Sequence, residues 1–179
     1  MNDLVEPSGQ QAVVSRSWTS LITAALLMLH ACLLGYGAVE HSPCWDEVAH
    51  LPSGLHHWYT GRFDLYRVNP PLVRMVAALP VHIAGFQMYW DHIPLGSVFE
   101  RGEWHAGREF IRANGERSLW LFALARWACI PFSLLGAWMC YVWARRLYGR
   151  AAGLCALGLW CLSPTILANA QMITPDTAA

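Results

Sequence analysis

Two adjacent carboxylates, Asp46 and Glu47, stand in the run Glu40-His41-Ser42-Pro43-Cys44-Trp45-Asp46-Glu47-Val48-Ala49-His50. A carboxylate serves as a general base toward a hydroxyl when its pKa is lifted, and partial desolvation beside an indole such as Trp45 works in that direction. The same pair also suits the first turn of a helix, where acids complement the positive end of the helix dipole. Both readings are open from these residues alone. Farther along, Arg126 lies at the edge of a long apolar stretch. A guanidinium at membrane depth is costly unless it pairs, binds an anion or snorkels to the interface.

The elements that must hold these groups follow from composition. Charged residues make up 13% of the 179 residues and hydrophobic ones 55%, against about a quarter charged in a soluble domain, so lipid is expected as part of the solvent. All 12 basic residues are arginine and are balanced by 12 acids, which leaves no excess positive charge for a nucleic-acid partner. The apolar and aromatic content, with ten tryptophans, excludes disorder.

A membrane-crossing helix needs about 20 apolar residues. Three stretches meet that length, spans at about 17–39, 127–144 and 151–174, and the external loop 40–117 carries nine of the acids and seven of the arginines. The expected fold class is an all-α polytopic membrane protein: three transmembrane helices with a large external loop carrying short interfacial helices. Arginine excess marks the cytoplasmic side. The turn Arg145-Arg146-Leu147-Tyr148-Gly149-Arg150 therefore places the amino terminus in the cytoplasm and puts the loop and Asp176 on the outer face of the inner (plasma) membrane. A cleaved signal peptide is the rival reading of residues 1–39, and the acidic head before Arg16 speaks against it. Cys32, Cys129, Cys140, Cys155 and Cys161 fall within spans and only Cys44 in the loop, so no disulfide framework is encoded.

Within the loop, Pro70-Pro71 suits the entry to a helix, in which Leu72, Met75, Val76, Leu79 and Ile83 form an apolar stripe. Arg74, Ala78 and His82 lie on another face, and Pro80 and Gly85 are expected to keep the helix short. A stripe of this kind suits the membrane surface, either as part of a site or as a strut. A further helix is expected from Ser97, where Ser97-Val98-Phe99-Glu100 matches a capping box, to Asn114-Gly115. Its alternating charges read as a solvated face.

The order of these features resembles the amino-terminal part of the GT-C membrane glycosyltransferases, above all the protein O-mannosyltransferases and lipid A aminoarabinose transferases of glycosyltransferase family 39. The matching elements are Asp46-Glu47 after the first span, Pro70-Pro71-Leu72 opening the interfacial helix, Ala125-Arg126, Arg145-Arg146 with Leu147-Tyr148-Gly149, and Asp176 after the third span. The likeness covers roughly residues 18–179. Asn69 replaces the lysine or histidine common before the double proline, and the histidines His41, His50, His56 and His57 are not a family requirement.

The resemblance implies a sugar donor on a polyprenyl phosphate and a protein or lipid hydroxyl as acceptor. It implies Asp46 as base, Glu47 assisting, and Asp176 orienting the base, the acceptor or a metal. Substrate contacts would come from Arg126, Arg74, Arg67, Asn69 and His50, with Arg126 and Arg74 on the phosphate. Transfer would invert the anomeric centre. The resemblance names no cofactor, and a divalent metal is left open. The family has many more spans, so the chain reads as the front end of a longer protein. Two rivals from other classes remain, a metal-binding membrane protein using His41, Cys44, His50, His56 and His57, and a non-catalytic membrane scaffold.

Overall fold

A computed structural model of the chain describes residues 9–93 and 101–175. All regular structure among the described residues is helical: α1 (Gly9–Glu40), α2 (Trp45–Thr60), α3 (Leu72–Ala84), α4 (Gly102–Asn114), α5 (Arg117–Tyr148), α6 (Arg150–Leu162) and α7 (Pro164–Asn169), with a short 3₁₀ turn at Trp90–His92. Two helices are long and apolar enough to cross a membrane, the stretch Trp18–Glu40 of α1 and the whole of α5. At 32 residues and 1.5 Å per residue, α5 is about 48 Å long, against about 30 Å for a hydrocarbon core. It is thus longer than such a core, and its first two turns pack against α3 and α4 through Leu121, Phe122 and Phe110.

The third apolar stretch departs from expectation, because 151–174 is not one helix. At Ser163 the backbone turns extended, the Ser163 hydroxyl accepts the Ile166 N–H at 3.5 Å, and Pro164 opens α7. Proline lacks the N–H that would continue α6. Alone, the 13 residues of α6 reach only about 20 Å.

The chain forms two packed regions that share α5. In the first, α2, α3 and α4 surround the early turns of α5 and bury Leu51, Leu55, Ala77, Val81, Phe110, Leu121 and Ile173. In the second, α1, α5 and α6 meet around Ala137, Tyr141, Leu157 and Cys161. A polar knot ties these last three helices. Fully buried His30 of α1 donates from Nδ1 to the Cys161 carbonyl at 2.9 Å and accepts the Ser133 hydroxyl at 2.9 Å on Nε2. Trp160 Nε1–H reaches the same Ser133 oxygen at 3.4 Å.

Helix α3 forms where the double proline predicts it, but Pro80 lies inside the helix and Gly85 (φ 78°) ends it. Its Val73, Arg74, Ala77, Ala78 and Val81 face inward, while Leu72 and Ile83 of the apolar stripe are 61% and 77% exposed. The stripe is thus turned away from the core.

Close approach of backbones sets the position of α2. A Cβ on Gly54 would sit 2.2 Å from the Arg74 carbonyl oxygen of α3, and one on Gly107 of α4 would sit 2.4 Å from the Val48 oxygen. The opposing atoms are main chain and cannot swing aside. Gly54→Ala is expected to cost about 1–3 kcal/mol by forcing α2 and α3 apart, read as a drop in the thermal midpoint. An unchanged midpoint would mean that the helices are not in this contact.

Candidate functional site at the start of α2

The structure divides the described residues singled out by the sequence into two groups, one at the junction of α1, α2 and α5 and one around the turn between α2 and α3. Glu47 and Arg126 form the first. Glu47 is 0% and Arg126 2% exposed. Glu47 Oε1 accepts Arg126 Nε at 2.8 Å and the Ile173 N–H at 3.0 Å, while Oε2 accepts Arg126 Nη2 at 2.6 Å and the Cys44 N–H at 2.9 Å. Arg126 also donates to the carbonyls of Ala38 (2.9 Å), His41 (2.6 Å) and Ser42 (3.0 Å). Those carbonyls belong to the last turn of α1 and its exit, where helices leave acceptors unsatisfied and cations are favoured.

All five N–H groups of a guanidinium are therefore engaged in Arg126, and each oxygen of Glu47 accepts two hydrogen bonds. The structure gives Arg126 a different task from the phosphate contact expected of it: it fastens α1, α2 and the 170–175 segment together. Glu47 keeps no lone pair for an acceptor hydroxyl.

Burial pushes the Glu47 carboxyl up, but the hydrogen bonds and charge of Arg126 and the two backbone N–H groups outweigh it, and its pKa lies below the ordinary value of 4.5. A lowered folded value means that the pair stabilises the fold fully above the unfolded value and loses that contribution as the pH falls through the folded one. The thermal midpoint should accordingly decline as the pH drops below about 4.5. That decline should flatten in Glu47→Gln and persist in Asp46→Asn. An equal decline in Glu47→Gln would assign it to other carboxylates.

Asp46, one residue earlier, is exposed. The desolvation expected beside Trp45 is absent, because the Trp45 ring stacks on Trp104 of α4 (centroids 4.8 Å apart) and remains 70% exposed. Glu47 therefore serves as the cap, and Asp46 is left open to solvent in the first turn of α2.

Tyr66 organises the second group, and sequence reasoning passed over it. Its backbone has φ 56°, and burial, then the charge of Asp46, raises its phenol pKa. His50 meets the ring edge-on at 4.7 Å, Arg74 lies 4.5 Å over its face, and Asn69 Nδ2 donates to its hydroxyl at 3.3 Å. Arg74 is 1% exposed, donates to the carbonyls of Tyr66 (2.6 Å) and Asn69 (2.5 Å), and keeps Nε buried without a partner. Burial lowers its pKa. Arg67 is exposed and donates from Nε to the Asp64 carbonyl at 3.2 Å.

Arg101 was also missed. It stands 6.0 Å from the Tyr66 ring and 5.7 Å from that of Trp104 and pairs with Glu103. Glu103 is buried, so this end of α4 is not the uniformly solvated face expected from its alternating charges. The missed signal was the i,i+3 spacing of Arg101 and Trp104. The capping box at Ser97–Glu100 lies outside the described residues.

Asp176 also lies outside the described residues. The segment that leads to it is fixed beside Glu47 by the Ile173 N–H, with Ala170, Gln171, Ile173 and Thr174 buried. The histidines of the loop are dispersed. His41 Nδ1 bonds the Gly37 carbonyl at 2.8 Å, His57 Nδ1 the Arg62 carbonyl at 2.9 Å, and buried His56 faces Asp64 at 3.7 Å and the Trp90 ring. Burial lowers the pKa of both His56 and His57. Among the described residues no three His, Cys, Asp or Glu side chains come together as a metal site.

Comparison with known proteins adds no identification: no protein family, curated protein or solved structure matches this chain. What stands is that the described residues are all-helical in their regular structure, with two helices among them of membrane-crossing length and a carboxylate pair just beyond the first of these.

Proposed function

We propose that this chain is the front portion of an inner-membrane glycosyltransferase that moves a sugar, mannose- or aminoarabinose-like, from a polyprenyl phosphate to a protein or lipid hydroxyl. The observation that carries the reading is Asp46, an exposed carboxylate whose neighbour Glu47 is locked by four hydrogen bonds at the exit of the first membrane-length helix. A base held in this way can meet an acceptor hydroxyl at the membrane surface without moving its helix.

In this reading Asp46 takes the acceptor proton, the acceptor oxygen attacks the anomeric carbon from the face opposite the phosphate, and the lipid phosphate departs with inversion. Glu47 and Arg126 are positioning residues. Arg67 and Arg101 are the guanidinium groups open to the departing phosphate, with Arg74 and Asn69 shaping the turn that carries Arg67, and His50 supporting Tyr66. Asp176 is assigned to the same face. The loop lies outside, the Arg145–Arg150 turn and the amino terminus lie in the cytoplasm, and α6 with α7 makes a third, broken crossing of about 30 Å. The exposed stripe of α3 rests on the outer leaflet.

The test is sugar transfer from radiolabelled polyprenyl-phosphate sugars in membranes carrying the full gene product, wild type and Asp46→Asn. Transfer that disappears in the variant supports the reading. Transfer unaffected by the variant removes Asp46 as base, and no transfer from any donor, with insertion verified, favours a scaffold.

A further inference from the structure

At the opposite end of α5 two clefts share one arginine. The first, of about 250 Å³, is lined by Thr19 and Ser20 of α1, Arg145 of α5 and Arg150 of α6. The second, of about 350 Å³, is lined by Trp138, Tyr141, Val142, Arg145 and Arg146. Arg145 donates to the Tyr141 hydroxyl at 3.1 Å with its guanidinium 5.7 Å from that ring, which fixes the direction of the side chain where the clefts meet.

We propose that these clefts bind one anionic phospholipid, with the phosphate in the first and the glycerol and chain in the second. Two guanidinium groups, from α5 and α6, are the kind of donor that a phosphate diester takes up, and Thr19 and Ser20 of α1 complete the polar lining. The second cleft has Arg145 and Arg146 at one end and Tyr141, Val142 and Trp138 along its wall, and it follows α5 from Arg145 back to Trp138, seven residues or about 10 Å along the helix. A polar cleft that shares Arg145 with a cleft carrying an aromatic and aliphatic wall matches an amphiphile better than a free anion.

The charge distribution agrees. Every acid among the described residues falls between 40 and 116, and Glu116 precedes α5 by a residue, about 43 Å along the axis from Arg145. Arg145, Arg146 and Arg150 gather at this end, a local positive charge of the kind that basic pockets between membrane helices present to lipid head groups. None of these residues takes part in the proposed sugar transfer, so this site stands or falls independently.

The experiment measures thermal midpoints by tryptophan fluorescence for the full gene product in a neutral detergent, with phosphatidylglycerol, phosphatidylcholine or inorganic phosphate added at equal ionic strength. Phosphatidylglycerol is expected to raise the midpoint by on the order of 5 °C over phosphatidylcholine, with inorganic phosphate giving no rise. The difference should vanish in Arg145→Gln combined with Arg150→Gln. It should persist in Arg108→Gln, which removes an exposed charge on α4, a helix that lines neither cleft.

Equal effects of the two lipids, protection by inorganic phosphate alone, retention in the double variant, or equal loss in Arg108→Gln would each overturn the proposal. Should the double variant not fold, native mass spectrometry of the wild type decides. One phosphatidylglycerol retained per chain in competition with phosphatidylcholine supports the site, and none retained overturns it.

Discussion

Arg126→Leu is expected to destabilise the chain by about 3–5 kcal/mol, enough to abolish folding of a marginally stable protein. The variant leaves the Glu47 carboxylate at 0% exposure with only two backbone N–H groups as partners. It also strips the carbonyls of Ala38, His41 and Ser42 of their donor. An unpaired buried charge is the costly part, so the double variant Glu47→Gln with Arg126→Leu should be less destabilised than the two single effects added together. Additive effects, read from denaturant midpoints, would mean that the two side chains are not in contact. Arg126→Lys should fall between wild type and leucine, because one ammonium cannot replace a fork that serves two carboxylate oxygens and three carbonyls.

The second large effect is on chemistry rather than on folding. Under the proposed function, Asp46→Asn should slow sugar transfer by about 10²–10⁴-fold, the usual contribution of a general base. Because Asp46 is exposed, its stability should change by no more than about 0.5 kcal/mol. The pair of results separates the two carboxylates: Asp46→Asn inserts and melts like wild type without turning over, whereas Glu47→Gln loses stability. A variant at Asp46 that melts early would give that residue a structural task and leave the chain without an identified base.

Much of the architecture was legible in the sequence, because uncharged apolar length is read directly as helix of membrane-crossing size. This held for α1 and α5, and the double proline and Asn114-Gly115 marked one end each of α3 and α4. The interruption of the third stretch at Ser163-Pro164 was equally visible as a serine cap followed by proline, yet hydrophobicity alone concealed it. Pro80 shows the converse, since a proline expected to limit α3 is carried within it. The external loop and the number of crossings rest on the arginine bias, which describes insertion rather than packing.

The candidate site was less legible, and for a physical reason. Asp46 and Glu47 are neighbours in sequence, but successive helical residues point about 100° apart, so one is exposed and the other buried. The sequence could not say which, because the partners that decide it, Arg126 and the backbone of Ile173, are distant in the chain. Arg126 was recognised as costly, but whether that cost is met by a ligand or by the protein depends on the carbonyls at the end of α1. Tyr66 carried no motif and becomes central only because His50, Asn69 and Arg74 fold around it.

The hydrogen bonds on Glu47 also impose an order on assembly. Arg126 follows Glu47 by 79 residues and Ile173 follows it by 126, so during synthesis the carboxylate emerges long before anything can neutralise it. Until then water must solvate it, and the start of α2 cannot close against α5. Asp46 acquires its fixed position only when α5 arrives and the segment after α7 has turned back. The base of the proposed reaction is among the earliest residues made and among the last to be set in place, which keeps an incomplete chain from presenting a formed site.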